Sequence, residues 1–321
     1  MRNGILTLAA VCAVLIAGPA AAADVVVLKP TVIDVGKWAE GIAYDGHFLW
    51  AAESGQRTIA KIDLDAARVV QHVTVGRLPV AMAATRDSAV FAMVNTDKLI
   101  YGKAGRRHGL MHLGECPDAM IADDLTLWAL TEPDCSSASS RLIKVDSRSG
   151  AQVRSGVLSE WATALAASGD NIWVTHARGP ALTVIGKTSL QPQPLEVAGA
   201  SLWAVTASAG SVYAGGRLGE DNSAGVVVMI DAATGHEAHR AQVSERVAEM
   251  TNDARFVVAI GEKGTIWIFS AGDLTLLRTI TLSTGAFQPR GVLIKGDDLL
   301  LSNSMQSGEN GAVLIVSGWQ P

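Results

Sequence analysis

The sequence predicts an all-β fold, in which seven four-stranded antiparallel sheets stand radially about an axis and an N-terminal strand closes the ring. Three features carry that expectation. A four-strand unit recurs at intervals of 39 to 47 residues, the first strand of each unit is made of small residues, and the second carries a bulky apolar one.

The stretch Trp38–Gly76 shows the unit most plainly. Gly41–Tyr44 reads as a small-residue strand, Asp45-Gly46 as a tight turn, and Phe48–Ala52 as an apolar strand. Thr58–Asp63 alternates apolar and polar residues, and Arg68–Val75 makes an outer edge strand. Asp-Gly between apolar runs signals a hairpin, because glycine accepts the positive φ that a primed turn needs. One such unit cannot bury both faces of its sheet, so it requires copies.

The copies follow. Third strands carry the anchors Ile62, Tyr101, Val145, Ile185, Ile230, Phe269 and Val316. Second strands carry Trp50, Phe91, Trp128, Trp173, Tyr213, Val257 and Leu300. First strands run Gly41–Ala43, Ala81–Ala83, Ala119–Ile121, Ala164–Ala166, Ala204–Thr206, Glu249–Thr251 and Gly291–Leu293. Turn signals recur in step at Asp63–Asp65, Ser147–Gly150 and Ala232–Gly235. A four-strand period of about 40–45 residues is the pattern of a β-propeller, whose innermost strands crowd the axis and leave little room for bulk. After Val316 only Ser317–Pro321 remain, too few for a fourth strand, whereas Thr31–Val35 precedes the first full copy. Thr31–Val35 is therefore expected to pair with Ala312–Val316, which removes open sheet edges. Helix-period stretches are short and ambiguous, as at Glu160–Ala167.

The chain opens as an export leader. Arg2 is the only charge before Asp24, Ile5–Ala17 is apolar, and Ala20–Ala23 offers small-residue cleavage sites. Val11 stands where lipidation of Cys12 would need a small residue. The organisation read from the sequence is a signal peptide over 1–23 and a single propeller domain over 24–321, periplasmic or secreted, monomeric and without a membrane span. Loss of Arg2 takes the formal charge from −5 to −6, and an acidic chain without a basic run argues against nucleic acid as a partner. Cys116 and Cys135 remain, an even pair that in an exported protein reads as a disulfide.

In this architecture the residue before each small-residue strand faces the mouth of the axial channel. In order these are Glu40, Val80, Asp118, Thr163, Trp203, Ala248 and Arg290, with Glu249 one step deeper. Second strands end on the same face at Glu53, Asn95, Glu132, His176, Arg217, Glu262 and Asn303. Three insertions, Pro133–Ser140, Leu218–Gly225 and Ser304–Gly311, fall there too, and insertions confined to one face mark a binding face. Glu40 and Arg290 come from neighbouring copies, so they either pair with one another or serve a ligand. Glu40, Asp118 and Glu249 form a candidate oxygen-ligand set for calcium or magnesium. His176 is a candidate general base. Trp203 either stacks on a ligand or plugs the channel. Glu220-Asp221-Asn222 has the composition of a calcium loop or of a solvated turn.

The phrases GIAYDGHFLWAAESGQRTIAKID, AASGDNIWVTHARGPALTVI and SAGVVVMIDAATG resemble the YVTN/NHL-type repeats of bacterial seven-bladed propellers. The resemblance covers Trp38 to Val316 and implies the fold. The first phrase also resembles streptogramin-lyase-like proteins, whose active site uses histidines and a glutamate with magnesium near the axis; that implies His176 as the catalytic candidate. Glu40-Gly41 is similar to the first metal ligand of gluconolactonase-like propellers, with Ile42 where their proline stands. Two functions are thus expected: a binding protein or scaffold holding a small ligand or protein partner at the channel face, or a metal-dependent lyase or hydrolase.

Overall fold

The structure is a computed structural model that describes residues 23–76, 78–94, 99–102, 108–133, 135, 139–159, 161–179, 181–219, 224–284, 287–307 and 310–321. The expected leader, Asn95, the Glu220-Asp221-Asn222 turn and much of the three insertions lie outside these residues.

Two strands come first, β1 (Asp24–Leu28) and β2 (Thr31–Lys37). Four-strand sets follow: β3 (Ala39–Tyr44), β4 (Leu49–Glu53), β5 (Thr58–Asp63) and β6 (Arg68–Thr74), then β7 (Pro79–Ala84), β8 (Val90–Val94), β9 (Leu99–Gly102) and β10 (His108–His112). Next are β11 (Cys116–Asp123), β12 (Thr126–Glu132), β13 (Ser140–Asp146) and β14 (Gln152–Leu158). They are followed by β15 (Ala162–Ser168), β16 (Asn171–His176), β17 (Leu182–Gly186) and β18 (Pro192–Leu195). The chain continues through β19 (Ala200–Ser208), β20 (Ser211–Leu218), β21 (Ala224–Asp231) and β22 (Glu237–Val243). It ends with β23 (Val247–Asn252), β24 (Phe256–Gly261), β25 (Thr265–Ser270) and β26 (Leu276–Leu282), then β27 (Pro289–Lys295), β28 (Asp298–Ser307) and β29 (Asn310–Ser317). The ambiguous Glu160–Ala167 stretch is a strand from Ala162 onward.

The molecule is an all-β propeller. Six sheets are four-stranded antiparallel blades, including β2-β29-β28-β27, in which Thr31 lies opposite Ile315 and Ile33 opposite Val313. The expectation of four strands throughout needs correction at one place. The sheet of β23–β26 has a fifth strand, β1, which runs parallel to β26 at its outer edge. Arg278 explains the docking: its guanidinium meets the Asp24 carboxylate at 3.0 Å and donates to the Gly318 and Gln320 carbonyls. Val26 and Leu28 face the neighbouring sheet, while Val25 and Val27 point to solvent.

The core lies between sheets, and this is where the second-strand residues do their packing. Trp50 is buried with Met82 and Ala92 of the next sheet, Trp128 with Leu165, Trp173 with Val205, and Leu300 with Ile42 and Leu49. The Asp-Gly turn also does more than reverse the chain. Asp45 Oδ1 accepts the amides of His47 and Phe48, Oδ2 accepts Trp50 Nε1 at 2.7 Å, and Gly46 takes φ 97°. Trp319, beyond the last strand, is fully buried edge-on to Phe256. Among the described residues no helix is long and apolar enough to cross a membrane.

Candidate functional site

Every first strand carries a β-bulge at the same place, near its channel-mouth end. The register breaks between Pro79 and Ala81, Pro117 and Ala119, Ala162 and Ala164, Leu202 and Ala204, Val247 and Glu249, and Pro289 and Gly291, with a wider break from Ala39 to Ile42. The residue caught in each break is Val80, Asp118, Thr163, Trp203, Ala248 and Arg290, and in the wider break Glu40. A bulge leaves one residue unpaired and re-aims its side chain. All seven line a cavity of about 720 Å³ that follows the inner strands, and a second space of about 750 Å³ shares Asp118, Trp203, Glu249 and Arg290 with it.

The residue after the bulge is Gly41, Ala81, Ala119, Ala164, Ala204 or Gly291 in six cases and Glu249 in the seventh. The crowding is direct at Gly41, where a Cβ would come within 2.9 Å of the Met82 amide nitrogen. Glu249 is thus an acid in a ring of glycine and alanine. Burial pushes its carboxyl up to about 7, with Arg290 pulling it down and Glu40 pushing it further up. Burial likewise raises Glu40, against the pull of Arg290, whose Nε lies 3.6 Å from Glu40 Oε2. Glu40 and Arg290 therefore pair.

On the other side of the mouth, Asp118 is open to the channel yet ringed by protein. Poor hydration, with the charge of Glu132 beside it, pushes its carboxyl up to about 6. Among the described residues no hydrogen bond or ion pair reaches Asp118. Trp203 is bracketed by cations: the guanidinium carbons of Arg217 and Arg246 lie 5.1 and 4.9 Å from its ring centroid. Arg246 is held in turn by Glu262 at 2.9 Å. The Thr163 hydroxyl is engaged in structure, within 3.2 Å of the Thr175 and Leu202 carbonyls. The Cys116–Cys135 disulfide forms and ties the start of β11, two residues before Asp118, to the loop after Glu132.

Three expectations need correction. His176 is fully buried, with Nε2 2.9 Å from the Thr183 hydroxyl, so it is not placed to take a proton from a channel ligand. Glu53 and Asn303 are also structural: Glu53 Oε1 accepts the Gly36 amide at 2.7 Å, and Asn303 Oδ1 accepts the Gln288 amide at 2.8 Å. The cation set of Glu40, Asp118 and Glu249 does not assemble. Among the described residues no three of His, Cys, Asp and Glu converge to hold a metal ion, so the magnesium implied by the lyase resemblance does not fit these side chains.

Sequence reasoning missed two buried carboxylates. Glu115 takes the Thr131 hydroxyl together with Arg141 and Arg154, and Glu245 takes the amides of Lys263 and Thr265. Both precede a first strand, two residues before its residue preceding the bulge, and that shared offset is the signal available in the sequence.

No protein-family model matches the sequence, and no curated protein matches it. Solved structures do resemble the fold. Virginiamycin B lyase from Staphylococcus aureus superposes with a TM-score of 0.71 at 12% identity, covering 88% of this chain and 98% of the lyase. Hydrazine synthase from Kuenenia stuttgartiensis gives 0.71 at 15% identity, over 87% of this chain and 95% of that one. The WD40 repeats of RRP9 give 0.65 at 12% identity, over 90% and 94%. At such identities the likeness speaks for the propeller fold and for nothing more.

Proposed function

We propose that the protein is an exported, single-domain, seven-bladed propeller of the YVTN/NHL repeat type that holds a ligand or protein partner at its channel mouth, as a binding protein or scaffold of the cell envelope. This reading counts β1 with β23–β26 as one blade. It takes the pairing of β2 with β29, and the core cluster joining Leu300 to Ile42 and Leu49, as the closure.

One observation carries the functional part. The same bulge in every first strand delivers a side chain to one cavity mouth, and the side chains delivered include Glu40, Asp118, Trp203 and Arg290. Ring closure needs no charge there, and an unpaired carboxyl in poor hydration costs stability. A lyase or hydrolase reading draws on the fold shared with virginiamycin B lyase and on the near-neutral carboxyl of Glu249. It lacks a metal-ligand set among the described residues, and His176, the base it called for, is shut away, so binding is the better account.

Ala248→Trp fills the mouth from the one bulge position occupied by alanine. Ligand-observed NMR with a fragment library should find compounds that bind the wild type and are lost in this variant. If no fragment separates the two proteins, the channel-mouth reading fails. Mass spectrometry of the protein recovered from the periplasm should show a chain that begins at or near Asp24.

A further inference from the structure

Two tryptophans occupy corresponding places on the mouth face. Trp38 precedes β3 and Trp161 precedes β15, and each is followed by alanine and then a bulge residue. Both are exposed, at 40% and 43%, and both hold φ in the left-handed region, at 54° and 56°. That conformation is cheap for glycine or asparagine and strained for a bulky aromatic. The carbonyl of each accepts an amide from the loop after its second strand, Ser54 at 3.1 Å and Ala177 at 2.9 Å. Arg246 and Gln288 stand at the same place in two other sheets and accept the same bond, yet neither has a positive φ. The hydrogen bond therefore does not demand the strained turn. An indole kept where it stores strain and faces water points to a use outside folding.

Each indole is also braced. Gly55 leaves space beside Trp38, where a Cβ would lie 3.2 Å from Cε3, and the Arg178 guanidinium carbon lies 4.4 Å from the Trp161 ring centroid. Met305, 39% exposed, adds a flexible apolar side chain at the mouth. Exposed tryptophan and methionine are the anchors that protein interfaces favour. In sheet order, β11–β14 lies between the sheet that follows Trp38 and the one that follows Trp161; there Asp118 lines the mouth with the like charge of Glu132 beside it, and among the described residues neither has an ion pair.

Resting on the channel mouth being the binding face, we propose that its occupant is a protein segment with a basic side chain flanked by apolar ones. Trp38 and Trp161 take the apolar flanks, and the Asp118–Glu132 carboxyls take the cation. A single extended segment supplies both chemistries: nine residues reach about 30 Å.

The probe is an acetylated, amidated nonapeptide with a central lysine between leucine and phenylalanine residues, read by fluorescence anisotropy. Sister peptides carry glutamate or norleucine at the centre, and maltoheptaose serves as a neutral aromatic-stacking competitor. The lysine peptide should bind at least about tenfold more tightly than either sister, and Asp118→Asn with Glu132→Gln should erase that preference. Trp38→Asn with Trp161→Asn should weaken every peptide at least about tenfold while leaving the thermal midpoint unchanged or higher, since asparagine relieves the strained φ. Equal binding of the lysine and glutamate peptides overturns the proposal. So does a fall in midpoint on the asparagine substitutions, which would make the indoles structural. Capture of maltoheptaose with no peptide binding overturns it too, but leaves the channel mouth as the binding face. Only unaltered binding in the Ala248→Trp protein removes both readings.

Discussion

Glu249→Gln is expected to stabilise the protein at pH 8 and to change little at pH 5. The Glu249 carboxyl, ordinarily near 4.5, is pushed up to about 7 because its ring position is built for glycine or alanine. Below about 4.5 folded and unfolded chains both carry the proton, and burial costs nothing. Between there and about 7 the unfolded chain releases its proton first, so this group's contribution falls as pH rises. Above that range the fold holds a poorly hydrated charge. At about 1.4 kcal/mol per tenfold, the full penalty, with the pull of Arg290 already counted in it, is about 3 kcal/mol, and screening by channel water trims it to about 2 kcal/mol. Glutamine escapes the penalty at nearly the same shape. For a chain of this size the midpoint should rise by about 3 °C at pH 8. Urea unfolding of both proteins from pH 5 to pH 8 gives the two curves. If the glutamine protein is the less stable one at pH 8, the Arg290 contact outweighs burial and the reasoning is wrong.

Gly41→Ala should cost about 1–3 kcal/mol, because its Cβ would meet backbone of the next blade at 2.9 Å; unchanged urea stability would show that the blades can part there. Ile33→Ala, at a buried position of β2, should cost about 2–4 kcal/mol and raise amide exchange first in β27–β29; a rise spread evenly over all sheets would count against the proposal that β2 closes the ring. Cys116→Ser with Cys135→Ser should cost about 3 kcal/mol, and thiol labelling of the denatured, unreduced protein without its leader, and so without Cys12, should find no free cysteine. EDTA should leave the thermal midpoint in place, and a midpoint that falls with EDTA and returns with calcium or magnesium would restore a metal to the mouth.

The repeat was legible because each blade repeats the same local needs. Small residues at Ala81, Ala164 and Ala204, a large one at Trp50, Trp128 and Trp173, and an Asx turn at Asp146 and Asp231 are all set by position within one sheet. The Thr31–Val35 pairing was legible from what the last copy lacked. What stayed hidden depends on contacts between distant segments. Nothing in Asp24–Leu28 announces a parallel partner, because that partner is chosen by Arg278, more than 250 residues on. His176 and Glu132 both end a second strand, yet His176 is fully buried with Nε2 against the Thr183 hydroxyl, while Glu132 is partly exposed beside Asp118.

The bulge joins these two levels. Without it, strict alternation would send the residues before Ala81, Ala164 and Ala204 into the gaps between blades, where Met82, Leu165 and Val205 already pack. One extra residue per strand frees that position from packing, so charge and bulk become tolerable at a place where the fold otherwise accepts neither. The mouth can therefore vary without cost to the ring, while Glu249, one residue past the bulge, cannot. A charge at that inner position is the feature the fold resists most, and relieving it by glutamine while binding survives would separate what the site needs from what the ring merely endures.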